Sequence, residues 1–243
     1  MRGTGNRLRL ATGLVALSVW PGVAFAASSV TGTISFNGTP PANLRPLDMA
    51  ADPACAKKHP TPAANEMLVL GKGNTMGNIL VFVSKGLPSG KTYPAPTAPA
   101  VLDQNGCQYK PHVQGIMVGQ AYKILNSDGI LHNVHALPKI NKQFNLPMPA
   151  NRKEASATFD KAEPVFNIKC DVHPWMTAWI APFTHPFFTV TGADGKFTIS
   201  GLDPGTYEIT AWHEKLGTQT ASVTVAATGA KTQDFKFSMP AAK

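Results

Sequence analysis

The chain has 243 residues, with 22 Lys and Arg against 14 Asp and Glu for a formal charge of +8, a length that suits one large or two ordinary domains. Only 15% of residues are charged while Gly and Pro contribute 21 each, a composition of short strands and turns that excludes a helical bundle or coiled coil. The basic residues form no cluster of four and do not interleave with aromatics, so nucleic acid is not an expected partner.

The first 26 residues read as a secretory signal. Arg2, Arg7 and Arg9 form a basic start, Leu10 to Val23 is apolar but broken by Pro21-Gly22, and Ala24-Phe25-Ala26 supplies a small-x-small cleavage pattern. A retained span would need roughly 20 apolar residues. The mature protein is therefore expected to be periplasmic or secreted, with no membrane insertion after cleavage.

Strand signals then follow in order. Val30, Gly32, Ile34 and Phe36 alternate with polar residues, and Ile79 to Val83 is a short apolar run suited to a buried strand. Gly86 to Ala100, with Pro88, Pro94, Pro96 and Pro99, reads as an irregular crossing and places a domain boundary near residue 93. Ile116–Val118, Gln120–Asn126, Ala155–Phe159, Val165–Cys170 and Thr177–Phe183 form a second set of strands. From Phe187 the spacing tightens. Asp194-Gly195 signals a hairpin, Asp203-Pro204-Gly205 a turn, and four alternating segments led by Phe197, Tyr207, Ala221 and Phe235 predict a small sandwich. The fold class is all-β, two packed sandwiches.

Three cysteines in an exported chain allow at most one intramolecular disulfide. Cys55 and Cys107 lie in loop-like surroundings, whereas Cys170 ends the apolar run Val165–Lys169. A Cys55–Cys107 bridge is predicted, closing a loop worth about 4 kcal/mol on the chain-entropy estimate; two free structural thiols are the alternative.

The segment Cys170-Asp171-Val172-His173-Pro174-Trp175-Met176 carries the chemistry. A thiolate, an imidazole and a thioether at C-x-x-H-x-x-M spacing can converge from one tight loop on a soft metal ion, the combination that suits copper. Phe166, Ile168 and Cys170 share one strand face, so the thiol points inward. A trigonal His₂Cys site needs one more imidazole, and Asn126–His135 offers His132 and His135.

Here the sequence resembles the cupredoxins, the small blue copper proteins, over roughly Val101 to Phe183. The strings His132-Asn133-Val134-His135 and Cys170-x-x-His173-Pro174-Trp175-Met176 are most similar to amicyanin and the plastocyanins. The resemblance implies His132 as the second imidazole, Asn133 as a hydrogen-bonded tie between the two ligand loops, and His135 as a packed neighbour. The Pro/Lys/Asn-rich stretch from Ala136 to Glu154 departs from the family. A second resemblance, carried by Val30–Ile34, Gly195–Ile199 and Gly201–Tyr207, is to carboxypeptidase regulatory-like, transthyretin-like sandwiches.

Together these imply a regulatory-like sandwich from residues 27–92 and 184–243, interrupted by a cupredoxin-like copper domain at 93–183; a serial arrangement is the alternative. The resemblance implies an exported type 1 copper electron carrier, not an enzyme, with one mononuclear copper held by His132, Cys170, His173 and, axially, Met176. A redox partner protein, a cytochrome or a dehydrogenase, would exchange electrons through His173, the ligand expected to be more exposed. The competing expectation is a periplasmic copper carrier or buffer on the same ligands, and the third a structural adhesion sandwich.

Other motifs add nothing. His59 is expected in a solvated turn, and His112 and His185 in packing roles or as extra ligands. His213-Glu214-Lys215-Leu216-Gly217 lacks the second His of a zinc protease motif, and Gly71–Gly77 misses a dinucleotide fingerprint by one position. There is no C-x-x-C-H for covalent haem and no paired H-x-H for a trinuclear copper cluster.

Overall fold

The computed structural model describes residues 28–42 and 44–239, together with Met1. The expected signal at 1–26 otherwise lies outside the described residues. No helix among the described residues is long and apolar enough to cross a membrane. The protein is all-β. Its strands in chain order are β1 (Ser29–Phe36), β2 (Leu80–Lys85), β3 (Ala100–Gln104), β4 (Tyr109–Lys110), β5 (Val113–Met117), β6 (Tyr122–Asn126), β7 (His132–Ala136), β8 (Phe144–Met148) and β9 (Glu154–Ala157). They continue with β10 (Phe166–Lys169), β11 (Thr177–Phe183), β12 (Phe188–Val190), β13 (Lys196–Ser200), β14 (Gly205–His213), β15 (Gly217–Val225), β16 (Ala230–Thr232) and β17 (Phe235–Phe237). One short helix, α1 (Pro53–Lys57), and a 3₁₀ turn at Lys72–Asn74 interrupt them.

The strands sort into two sandwiches. One pairs the sheets β4-β3-β6-β9 and β5-β11-β10-β7-β8 around a core that includes Leu102, Tyr122, Ile124, Val134, Phe159 and Ile168. The other packs β13-β1-β16, with β17 also on β1, against β12-β2-β14-β15, around Val30, Ile34, Val81, Phe197, Ile209 and Phe237. In β1 the alternation seen in the sequence puts Val30, Ile34 and Phe36 inside. Gly32 is required there, because a Cβ would lie 1.9 Å from the carbonyl oxygen of Gln233.

The two sandwiches meet in a third small core of Leu80, Val113 and Ala181, with Phe82, Trp179, Phe183 and Trp212 packed on it. Trp179 of β11 and Trp212 of β14 have ring centroids 5.5 Å apart, and Gly115 lets the Phe188 ring approach β5.

Two local expectations are corrected. Asp194-Gly195 does not close a hairpin: β12 pairs with β2 and β13 with β1, so the turn carries the chain from one sheet to the other. Gly195 takes φ +67, and a Cβ there would lie 2.4 Å from the Ile34 carbonyl oxygen. The Pro/Lys/Asn-rich stretch contains β8, antiparallel to β7 with Pro147 opposite Asn133. β8 is an edge strand, where proline is tolerated. Within the 27–92 stretch expected to open the regulatory-like sandwich, Met49, Cys55 and Ala63 pack instead in the core of β3–β11.

Candidate metal centre

Two loops at one end of that sandwich bring the donors together. His132 opens β7, while Cys170 and His173 lie on the loop that joins β10 to β11. This second loop is closed on itself by hydrogen bonds from the Cys170 amide to the Met176 carbonyl (3.1 Å) and from the Met176 amide to the His173 carbonyl (2.9 Å). Asn133 ties the loops together: its Oδ1 accepts from the Cys170 thiol at 3.3 Å and from the Asp171 amide at 2.7 Å. The Tyr109 hydroxyl donates to the Asn133 carbonyl from beneath.

The donor atoms of His132, Cys170 and His173 lie within 4.8 Å of one another. The two Nδ1 atoms face each other at 2.9 Å, and the Cys170 sulfur is 3.8 Å from His173 Nδ1. His132 is 0% exposed, His173 1%, Cys170 3% and Met176 1%. Both imidazoles are buried, so the solvent-facing edge expected of His173 is not seen.

Both outer edges are covered by carboxylates. His132 Nε2 is 3.0 Å from Asp128, and His173 Nε2 is 3.0 Å from Asp52. A carboxylate only accepts, so each outer nitrogen donates and each inner Nδ1 is left with its lone pair. Two lone pairs facing at 2.9 Å beside a thiol need a shared proton or cation between them. This donor set, two imidazoles and a soft sulfur in a dry pocket, fits copper better than a hard ion.

The carboxylates are themselves held. Asp128 accepts from the consecutive amides of Gly106 and Cys107, both at 2.7 Å, and pairs with Lys58 at 3.2 Å. Gly106 and Cys107 both take positive φ, forming the kind of backbone nest that receives an anion. Asp52 caps α1, accepting from Ala54 and Cys55. Cys55 and Cys107 form a disulfide, which staples α1 over His173.

Charges follow from these contacts. Burial disfavours the Asp128 carboxylate, but hydrogen bonds from His132, Cys107, Gly106 and Lys58 hold its carboxyl well below the usual range. Burial alone would push the His132 imidazole down, yet Asp128 and Cys170 hold it above its ordinary value. Burial likewise pushes the Cys170 thiol up, and is outweighed by His132 and by the amides of Asn133, His173 and Val172.

The remaining histidines lie outside this group. His135 Nδ1 pairs with Asp171 at 2.9 Å, and His59 Nε2 is 2.6 Å from the Gly106 carbonyl. His112 bridges Glu214 (2.5 Å) and the Thr177 carbonyl (3.1 Å). His185 and His213 are buried and accept from nearby backbone amides. Trp175 covers the group, donating to the Cys107 carbonyl with its ring centroid 5.0 Å from that of His173. Sequence reasoning missed Asp52 and Asp128. Asp128 stands four residues before His132, a usable signal only once that histidine is singled out; Asp52 carries none without the disulfide.

Residues 184–238 match the family model described as the carboxypeptidase regulatory-like domain. This segment carries that domain. It supplies β12–β17, and the sandwich is completed by β1 and β2 from the other end of the chain. Comparison with curated proteins finds no match. Among solved structures, the chain is similar to the Cu-containing nitrite reductase from Thermus scotoductus SA-01, at 19% identity over 41% of this chain and TM-score 0.33. The match spans 25% of that reductase. It is also similar to a purple cupredoxin from Nitrosopumilus maritimus, at 22% identity over 35% of this chain and 99% of that one, TM-score 0.30. A Cu(I) amicyanin variant matches at 22% identity over 41% of this chain and 100% of its own, TM-score 0.31.

Proposed function

We propose that the chain is an exported type 1 copper electron-transfer protein, with one copper held by His132, Cys170, His173 and, weakly and axially, Met176. The observation that supports this reading is the buried convergence of two Nδ1 atoms and one thiol, each fixed from behind by a hydrogen bond. Copper in such a site changes oxidation state by one electron without making or breaking a substrate bond. The chain's residues hold the geometry constant through that change: Asp128 and Asp52 orient the imidazoles, Asn133 fixes the thiolate, and Pro174 stiffens the loop. The redox partner is a protein, a cytochrome or a dehydrogenase.

One observation favours a second reading. Neither His132 nor His173 is exposed, which also suits a copper carrier or buffer that uses the same ligands. Repeated reduction with ascorbate and reoxidation, with the metal counted after each cycle against a chelator, separates the two. An electron carrier keeps its copper through every cycle; release of Cu(I) to the chelator on reduction contradicts the leading reading and supports the second.

A further inference from the structure

The disulfide lies directly against both imidazoles. Cys55 Sγ is 3.7 Å from His173 Nε2, and the donor atoms of Asp52, Cys55 and His173 lie within 4.8 Å of one another. Across the bridge, Cys107, Asp128 and His132 form a matching group on the same criterion. The bridge thus joins two acid–imidazole–sulfur triads, each sharing a histidine with the Cys170 group. Sulfur in a disulfide is a poor ligand, whereas two thiolates side by side are soft donors that select Cu(I).

We propose that reduction of the Cys55–Cys107 bridge opens a second, thiolate site for Cu(I) beside the Cys170 group. A dithiol reductant supplies two electrons and two protons, becoming a disulfide itself, while the S–S bond breaks to two thiols. Cu(I) then displaces the two thiol protons, and no electron moves in that step. Contacts independent of the bridge also tie the cap: Asp52 to His173, Lys58 to Asp128, and His59 to the Gly106 carbonyl. Both cysteines are 0% exposed, so a reductant reaches the bridge only through a local opening of the protein. The bridge's redox state is thereby the gate.

The test uses residues 27–243 carrying Cys170→Ser, which removes the thiolate of the first site, so that failure of this inference and failure of the proposed function are distinguishable. The protein is treated anaerobically with tris(2-carboxyethyl)phosphine, desalted, assayed for free thiols, and titrated with Cu(I) against bicinchoninate. The oxidised form is expected to show no thiol and to take no Cu(I) from the competitor. The reduced, folded form is expected to show two thiols and to take one equivalent. That equivalent disappears in the Cys55→Ser and Cys107→Ser variants, and equally when iodoacetamide caps the freed thiols, a route that needs no further substitution. A bridge that resists reduction in the folded protein, a reduced form that takes no Cu(I), or uptake that survives capping would each overturn the proposal.

Discussion

At the scale of single residues, carboxylates fix most of what surrounds the candidate metal centre, and the same device recurs away from it. Glu163, 8% exposed, accepts hydrogen bonds from the amides of Lys139 (2.8 Å), Ile140 (3.0 Å) and Asn141 (3.1 Å) and from the Asn141 side chain (2.6 Å). Burial opposes its ionisation, but these bonds outweigh burial and hold its carboxyl below the usual range. A depressed folded pKa means stability that is complete above the unfolded value of about 4.3 and lost as pH falls through the folded one. Glu163→Gln turns an amide NH₂ toward backbone donors and is expected to cost about 1–3 kcal/mol at pH 7. Urea unfolding should show the gap between variant and parent narrowing below about pH 4; a constant gap would show that ionisation is not the source. That Cys170 and His173 come together was legible in the sequence because their spacing within one loop is a local property. His132 became legible through the His-Asn-Val string. Asp52 did not, since it reaches His173 only through a disulfide spanning 52 positions.

Elements were legible where periodicity is undisturbed and obscure where proline or a sheet change intervenes. The alternation of Val30, Ile34 and Phe36 marks β1 directly, and the apolar run from Ile79 marks β2. β8 was hidden by Pro147, which only an edge strand tolerates, and Asp194-Gly195 has the composition of a hairpin while serving a crossover. β1 is the most constrained element, paired with β13, β16 and β17. Gly32→Val would drive side-chain atoms into the Gln233 carbonyl and the Phe197 ring. We expect it to lower the urea midpoint by the equivalent of about 1–3 kcal/mol or more, with an unchanged copper spectrum if the two cores unfold separately. An unchanged midpoint would mean that β16 and β17 are not held against β1 as described.

At the scale of the whole molecule, the two sandwiches are coupled as well as joined. The Trp179–Trp212 contact lies in their junction, and Glu214 of the regulatory-like sandwich grips His112, whose other nitrogen meets the Thr177 carbonyl, one residue past Met176. From the opposite side the stapled cap covers His173. The chain therefore encloses the candidate metal centre with segments that lie far apart in sequence, which composition and local motifs do not reveal. The central claim is that Cys170 supplies a thiolate to copper in this enclosure. The visible absorption spectrum of residues 27–243 with one equivalent of Cu(II), recorded beside Cys170→Ser, tests it most directly. The account predicts an intense thiolate-to-copper band that is bleached reversibly by a mild reductant and absent from the variant; a pale spectrum shared by both proteins would contradict it.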